Sequence, residues 1–427
     1  VTTPDPLEIS PFARPASGTI RPPGSKSITN RALICAALAN GHSELTGALV
    51  SDDTRVMIDA LNALGIHVRS EQDGTRLFID GCAGVLPTEI AELFVGNSGT
   101  TVRFLTAMLA AGKGRFTLDG VPRMRERPIK DLLDSLAQLG VKAQSVAGTG
   151  CPPVVIEANG LAGGSATVRG DISSQFLSGL LMAAPYAQQP LDLGIAGELV
   201  SQPYIHMTLA VMKAFGVEVS GADLSRFHIE APRPYLGRAY EIEPDASAAS
   251  YFWAAAAITG GTVTVEGLGR NSLQGDVAFC DCLAQMGCEV RYTESGTTVV
   301  GKALHGIDAN MNAISDTVQT IGAVALFADG PTTVRGVGHI RHKETDRIAA
   351  LATELRKLGA TVEEWEDGLR ITPGPLHGAT IDTYDDHRMA MSLALAGLKQ
   401  SGVLINDPAC TAKTYPGFFK DLEKLRG

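Results

Sequence analysis

The apolar positions of the chain follow two rhythms that alternate along its length. Residues 248–258 and 390–398 are apolar on nearly every side, the pattern of helices buried all round. Between such stretches lie short runs in which β-branched and aliphatic residues mix with polar ones. Those at 76–79, 154–156, 262–265, 332–334 and 369–371 predict strands.

Two phrases punctuate these rhythms at regular intervals. The first is a helix ending in glycine, at Ala63-Leu-Gly65, Gln138-Leu-Gly140, Ala214-Phe-Gly216, Gln285-Met-Gly287 and Lys357-Leu-Gly359, with a sixth version over 418–427. Only glycine takes the left-handed conformation cheaply at such an end. The second is a polar start to a small-residue apolar helix, at Ser27, Ser98, Ser173, Asp245, Ser315 and Asp385. Ser and Asp are favoured N-caps. Together the phrases predict one α/β unit of about 70 residues written six times, split three and three into two domains. The sixth unit has no strand after its last helix, and residues 7–10 are placed to supply it. The chain then crosses between domains twice, near Pro22-Pro23-Gly24 and Glu243-Pro244.

Composition narrows the functional classes. The chain of 427 residues is 44% hydrophobic and 19% charged, enough apolar content for real cores. Its net charge of −10 argues against a polyanion-binding surface, so no nucleic-acid partner is expected. No apolar run reaches the length of a membrane span, and residues 1–6 have no leader character; a cytoplasmic protein is expected. Seven cysteines with no CxxC pair read as reduced thiols, and no metal site is expected from Cys280, Cys282 and Cys288.

Against this acidic background the basic residues at helix starts stand out. Lys26 and Arg31 flank the first start, Arg103 follows the second, and Asp386-His387-Arg388 crowd the sixth. Cations also gather before the second helices, at Arg125-Glu-Arg127-Pro128, Lys343-Glu344-Thr-Asp-Arg347 and Lys413. A cation at a helix N-terminus opposes the dipole, so bound phosphate or carboxylate explains Lys343 and Arg347 better than local stability does. Asp316, Glu344 and His387 are the acid/base candidates, each lying among cations at a helix start. Gly24-Ser-Lys26-Ser27 lacks the leading glycine of a nucleotide-binding P-loop, and no GxSxG elbow occurs.

Seven stretches carry a family likeness, in order: Pro23-Gly-Ser-Lys-Ser27 with Asn30-Arg31, Gly96-Asn-Ser-Gly-Thr100 with Arg103, Pro122-Arg-Met-Arg-Glu-Arg-Pro128, Ser173-Ser-Gln-Phe176, Lys343-Glu-Thr-Asp-Arg347, Asp386-His-Arg-Met-Ala390 and Thr411-Ala-Lys413. They resemble the 5-enolpyruvylshikimate-3-phosphate synthase family of enolpyruvyl transferases. The resemblance implies an α/β fold of two similar domains, each of three βαβαββ repeats in an inside-out, barrel-like arrangement. The terminal domain would comprise 1–22 and 244–427 and the central one 23–243, closing on substrate in the cleft between them. It implies a monomer that transfers the enolpyruvyl group of phosphoenolpyruvate to the 5-hydroxyl of shikimate 3-phosphate, releasing phosphate, in the shikimate pathway of aromatic amino-acid biosynthesis. No cofactor, metal or membrane is implied.

By motif position, the resemblance puts Lys26, Arg127 and Lys413 on the phosphate of phosphoenolpyruvate and Arg347 and Arg388 on its carboxylate, with Gly99 approaching through its backbone. Lys26, Ser27, Arg31, Ser173, Ser174, Ser201, Tyr204, Asp316 and Lys343 would bind shikimate 3-phosphate, and Gln175 would touch both substrates. Asp316 would take the proton of the 5-hydroxyl, and Glu344, assisted by Lys26, would move the proton at C3. Asn97, Thr100 and His387 would support the site. Phe104 stands where many members carry Pro, and Thr101 where Ala is common, so the family's usual response to glyphosate does not transfer. His339 replaces a common Asn and is left out of the site. Two other readings stay open on the residues: the sister transferase acting on UDP-N-acetylglucosamine, whose mobile loop carries a Cys or Asp where 122–128 has no Cys, and a non-catalytic repeat scaffold that binds phosphorylated ligands.

Overall fold

The computed structural model describes residues 4–221 and 223–427; residues 1–3 of the opening segment lie outside the described residues. The chain divides into two compact units. One, the central unit, is Gly24–Ile242; the other, the terminal unit, joins the chain up to Pro23 with Glu243–Gly427.

Each unit repeats one sheet plan three times. A middle strand pairs in parallel with a strand from an earlier or later part of the unit and antiparallel with the strand that returns to it. In the central unit the middle strands are His42–Thr46, Lys113–Asp119 and Leu191–Ala196. Their parallel partners are Ala239–Glu241, Ile90–Phe94 and Gly164–Arg169. In the terminal unit the middle strands are Thr262–Glu266, Thr332–Arg335 and Val403–Ile405, paired in parallel with Ser17–Ile20, Asp308–Asn310 and Thr380–Ile381. The strand missing from the sixth repeat is supplied by Leu7–Ile9, antiparallel to Val403–Ile405 with Leu7 opposite Ile405. Among the described residues the six sheets are separate, and none closes on itself.

The first helix of each repeat lies inside. Residues 246–258 of the helix Ala246–Thr259 are all buried, as is the whole of His387–Ala394. Small side chains permit this, and the few polar ones find each other. The Ser250 hydroxyl meets Thr320 at 2.9 Å, and Thr320 meets Ser392 at 3.3 Å, so a hydroxyl from each repeat joins three buried helices. Leaving such groups buried without partners would cost about 1–3 kcal/mol each.

The glycine phrase ends helices as expected, with φ of +81°, +81°, +92°, +108° and +104° at Gly65, Gly140, Gly216, Gly287 and Gly359. The polar starts need three corrections. The first cap is Ser25 rather than Ser27, its hydroxyl accepting from the Ile28 N–H, and Ser27 lies inside the helix Lys26–Leu38. The sixth cap is Asp386, because Asp385 has φ +53° and an N-cap needs extended backbone. Ser315 caps nothing: it sits in a 3₁₀ turn, Asn312–Thr317, that leads into the helix Val318–Ala325. Ser98, Ser173 and Asp245 are N-caps. Among the described residues, no helix is long and apolar enough to cross a membrane.

Candidate active site

In the central unit the candidate residues come from three buried helix starts and two loops. Gly24 sets the first start: a Cβ there would lie 1.9 Å from the Gly47 carbonyl oxygen, so only glycine lets the strand-to-helix turn pass. Lys26 follows Ser25, and its Nζ lies 3.4 Å from Asp53 Oδ2, with both side chains mostly buried. One helical turn on, Arg31 is buried. It donates to Thr208 Oγ1 at 2.7 Å, the Ser27 carbonyl at 2.8 Å and the Tyr204 carbonyl at 3.2 Å, and stacks over Phe104, 5.2 Å from the ring centroid. Arg31 thereby ties Ser27 to Tyr204 at the start of the helix Pro203–Ala214. Burial pushes its pKa down to about 10, against the pull of Tyr204 and Cys35. Phe104, the departure from the family pattern, is fully buried and packs against this guanidinium.

The second and third starts are joined side chain to side chain. Gln175 Nε2 donates to Thr100 Oγ1 at 3.2 Å, and Arg103 donates to Gln175 Oε1 at 2.6 Å. Arg127 reaches back from its loop to donate to the Asn97 carbonyl at 2.8 Å and its side-chain oxygen at 3.2 Å. Its guanidinium then lies so close that a Cβ on Gly99 would fall 2.4 Å from Nη2. Ser173 caps its helix, Ser174 is buried, and Ser201 is buried with a left-handed φ of +54°. A non-glycine residue held there stores strain of about 1–3 kcal/mol, a cost that gathers at functional sites.

The terminal unit carries a denser cluster. Asp316 accepts from Lys343 Nζ at 2.5 Å and Arg347 Nη1 at 3.2 Å on one oxygen, and from Arg388 Nη2 at 2.7 Å on the other. Arg347, 1% exposed, also donates to Glu344 at 2.9 Å and to both oxygens of Asp386 at 2.7 and 3.2 Å. Burial opposes the charge on Arg347, but Asp386, Glu344 and Asp316 more than offset it and its pKa is raised. Lys343 is lowered, by burial first and by the neighbouring arginines, with Asp316 opposing. The second oxygen of Glu344 faces Lys413 Nζ at 4.0 Å. Arg388 also meets the Tyr251 hydroxyl at 3.4 Å, and His387 is fully buried, its Nδ1 3.7 Å from Asp386. Lys343 and Glu344 precede the cap Asp346, whose carboxylate accepts from the Ala349 N–H, and Arg347 is the first helical residue. The cations that oppose the helix dipole therefore have carboxylate partners from the same unit.

Four members of these clusters escape the sequence reading as site residues. Asp53 and Asp386 are acidic partners of the cations, Asp276 is a buried carboxylate that feels the charges of Asp316 and Arg388, and only Asp386 lies inside a motif. His339 is the fourth: burial, then Lys343, push its pKa down to about 3, with Asp316 opposing. Among the described residues no His/Cys/Asp/Glu group could hold a metal ion. The seven cysteines are all free thiols.

Anionic ligands are what such clusters suit, with carboxylates at hand for proton transfer. That defines a class: an α/β protein of repeated units whose buried helix starts gather cations and carboxylates, a chemistry suited to phosphate- or carboxylate-bearing ligands. Solved structures share this architecture. EPSP synthase from Acinetobacter baumannii superposes with a TM-score of 0.82 at 27% identity, covering 98% of this chain and 97% of that one. The enolpyruvyl transferase NikO from Streptomyces tendae, at 20% identity, shares the fold with a TM-score of 0.79. The 3-phosphoshikimate 1-carboxyvinyltransferase of Trichormus variabilis is 48% identical over 99% of this chain and 100% of its own length. The chloroplastic enzyme of that name from Arabidopsis thaliana is 49% identical, over 96% of this chain and 83% of its own. The sequence profile of EPSP synthase (3-phosphoshikimate 1-carboxyvinyltransferase) matches residues 13–422, and the chain belongs to that family.

Proposed function

We propose that the chain is a transferase that moves the enolpyruvyl group of phosphoenolpyruvate onto the 5-hydroxyl of shikimate 3-phosphate and releases phosphate. The observation that carries this reading is the terminal cluster, in which Asp316 and Glu344 lie among Lys343, Arg347, Arg388 and Lys413. Proton-moving groups and anion-binding groups are thus one structure, in a chain whose family performs this transfer. We place it in the cytoplasm as a monomer, where free thiols persist.

The reaction needs no nucleophile from the protein. The 5-hydroxyl oxygen bonds to C2 of phosphoenolpyruvate and loses its proton as C3 gains one, giving a tetrahedral adduct. The adduct then loses a proton from C3 and phosphate from C2. Asp316 takes the hydroxyl proton, and Glu344, with Lys26, serves the proton at C3. Lys26, Arg127 and Lys413 hold the phosphate, with Gly99 leaving room for Arg127, while Arg347 and Arg388 take the carboxylate. Ser27, Arg31, Ser173, Ser174, Gln175, Ser201, Tyr204 and Lys343 hold the phosphorylated acceptor.

Three cations grip Asp316, which weakens it as a base. An incoming carboxylate competes for Arg347 and Arg388 and loosens that grip. A phosphate-release assay tests the function. Release is expected with phosphoenolpyruvate and shikimate 3-phosphate. Release only with UDP-N-acetylglucosamine, or binding of both ligands without turnover, would overturn the assignment.

A further inference from the structure

Asp276 is a buried carboxylate to which the reaction above gives no role. It lies in the 3₁₀ turn Gly275–Ala278, which packs on the turn Asn312–Thr317 that carries Asp316 and on the helix Ala246–Thr259. It is 4% exposed, and the Ser247 hydroxyl donates to its Oδ2 at 2.5 Å. A carboxylate taken out of water in this way is costly, and a hydrophobic residue would serve a core better.

We propose that Asp276 is a positioning residue for the proton chemistry: its buried negative charge, beside the turn that carries Asp316, makes Asp316 a stronger base. The inference rests on the reading of Asp316 as the base for the hydroxyl. Asp316 is held by Lys343, Arg347 and Arg388, all of which favour its deprotonated form and so weaken it. A general base works best when its affinity for a proton is not too low. A second carboxylate nearby restores that affinity by repulsion, and repulsion between two titrating groups is mutual.

The charges facing Asp276 agree. Burial raises its pKa to about 6, Asp316 adds to the rise, the Ser247 hydrogen bond and Arg388 oppose it, and Asp245 at the helix cap adds a little more. Asp281, on the helix Phe279–Gln285 that continues the turn, accepts from the Tyr292 hydroxyl at 2.7 Å. Asp276 therefore gains its charge as pH rises through about 6, and on this proposal its repulsion of the neighbouring carboxylate sets in over the same interval.

The test is the pH dependence of turnover in the full chain, followed as phosphate release, for the parent, Asp276→Asn and Asp316→Asn. The parent-to-Asp276→Asn ratio of kcat is expected to grow about three- to tenfold between pH 5 and pH 7.5, with its midpoint near 6. A merely structural role would give a ratio that does not change with pH. That outcome, with Asp316→Asn inactive, would overturn the proposal and leave the reading of Asp316 intact. An Asp316→Asn enzyme close to the parent would instead remove the base itself, and the proposal with it. Ser247→Ala gives an independent readout should Asp276→Asn not fold. Loss of that hydrogen bond disfavours the charged carboxylate, so the acidic limb of the kcat profile should move to higher pH. An unmoved limb would count against the proposal.

Discussion

The two charged clusters use the same residue types in different proportions. In the central unit, Arg31, Arg103 and Arg127 rest on hydroxyls, carbonyls and an amide oxygen, and Lys26 leans on Asp53. In the terminal unit, Lys343, Arg347, Arg388 and Lys413 are laced through Asp316, Glu344 and Asp386. A guanidinium is oriented by hydrogen bonds to neutral acceptors without changing any carboxylate's affinity for protons. One held by carboxylates must exchange partners to take an anion, and each exchange changes a carboxylate's affinity for protons. On the proposed mechanism the proton chemistry is therefore concentrated in the terminal cluster, with Lys26 the central cluster's share in it.

The largest effect that would break this division is expected at Glu344. Glu344→Gln keeps the shape and a hydrogen bond to Arg347 but cannot carry a proton. Turnover should fall about 10²- to 10⁴-fold, the usual contribution of a general acid or base, with circular dichroism and the unfolding midpoint little changed. Steady-state phosphate release checks it. A rate near the parent's would move the chemistry out of the terminal cluster and undo the contrast.

A smaller and different effect is expected in the central cluster from Gly99→Ala. The added methyl would lie 2.4 Å from Arg127 Nη2 and 2.9 Å from Arg103 Nη1. To restore ordinary contact near 3.5 Å the Arg127 guanidinium must shift by about 1 Å, away from its bonds to Asn97. The KM for phosphoenolpyruvate should rise about 10- to 100-fold, with kcat changed much less, as a binding cluster requires. A fall in kcat at constant KM would contradict it.

The contrast was only half visible in the sequence. The repeat could be read because its signals are local: a glycine just past a helix and a polar residue just before one. Where the cap is decided by backbone conformation and not by residue type, locality failed. Ser25 and Ser27 both fit a cap, and Asp385 and Asp386 differ only in a backbone angle no residue type announces. The clustered cations were visible in the sequence because they stand together near helix starts of an acidic chain. Their partners were not. Asp53 belongs to the next helix, capped by Ser51, and Asp276 to a turn with no counterpart in the motifs. His339 was set aside because it departs from a pattern, yet folding puts it near Lys343 and Asp316.

That histidine supplies the smallest and most specific prediction, since it assigns an acid sensitivity to the terminal cluster. Burial and the Lys343 charge hold His339 neutral, with its pKa pushed down to about 3 from the ordinary value of 6.5. The folded protein therefore binds fewer protons than the unfolded chain between those two pH values. The stability this contributes is fully present above about 6.5 and is lost as pH falls toward 3. His339→Asn removes the titrating group and keeps a polar side chain of similar reach. Urea unfolding at pH 7 and pH 5 should show the parent losing about 1 kcal/mol more than the variant, a value reduced for the partial exposure of the ring. Taking the difference between the two proteins cancels Asp276, whose raised pKa favours the folded state as pH falls from about 6. Equal pH slopes for parent and variant would show that His339 does not carry the acid sensitivity of this cluster.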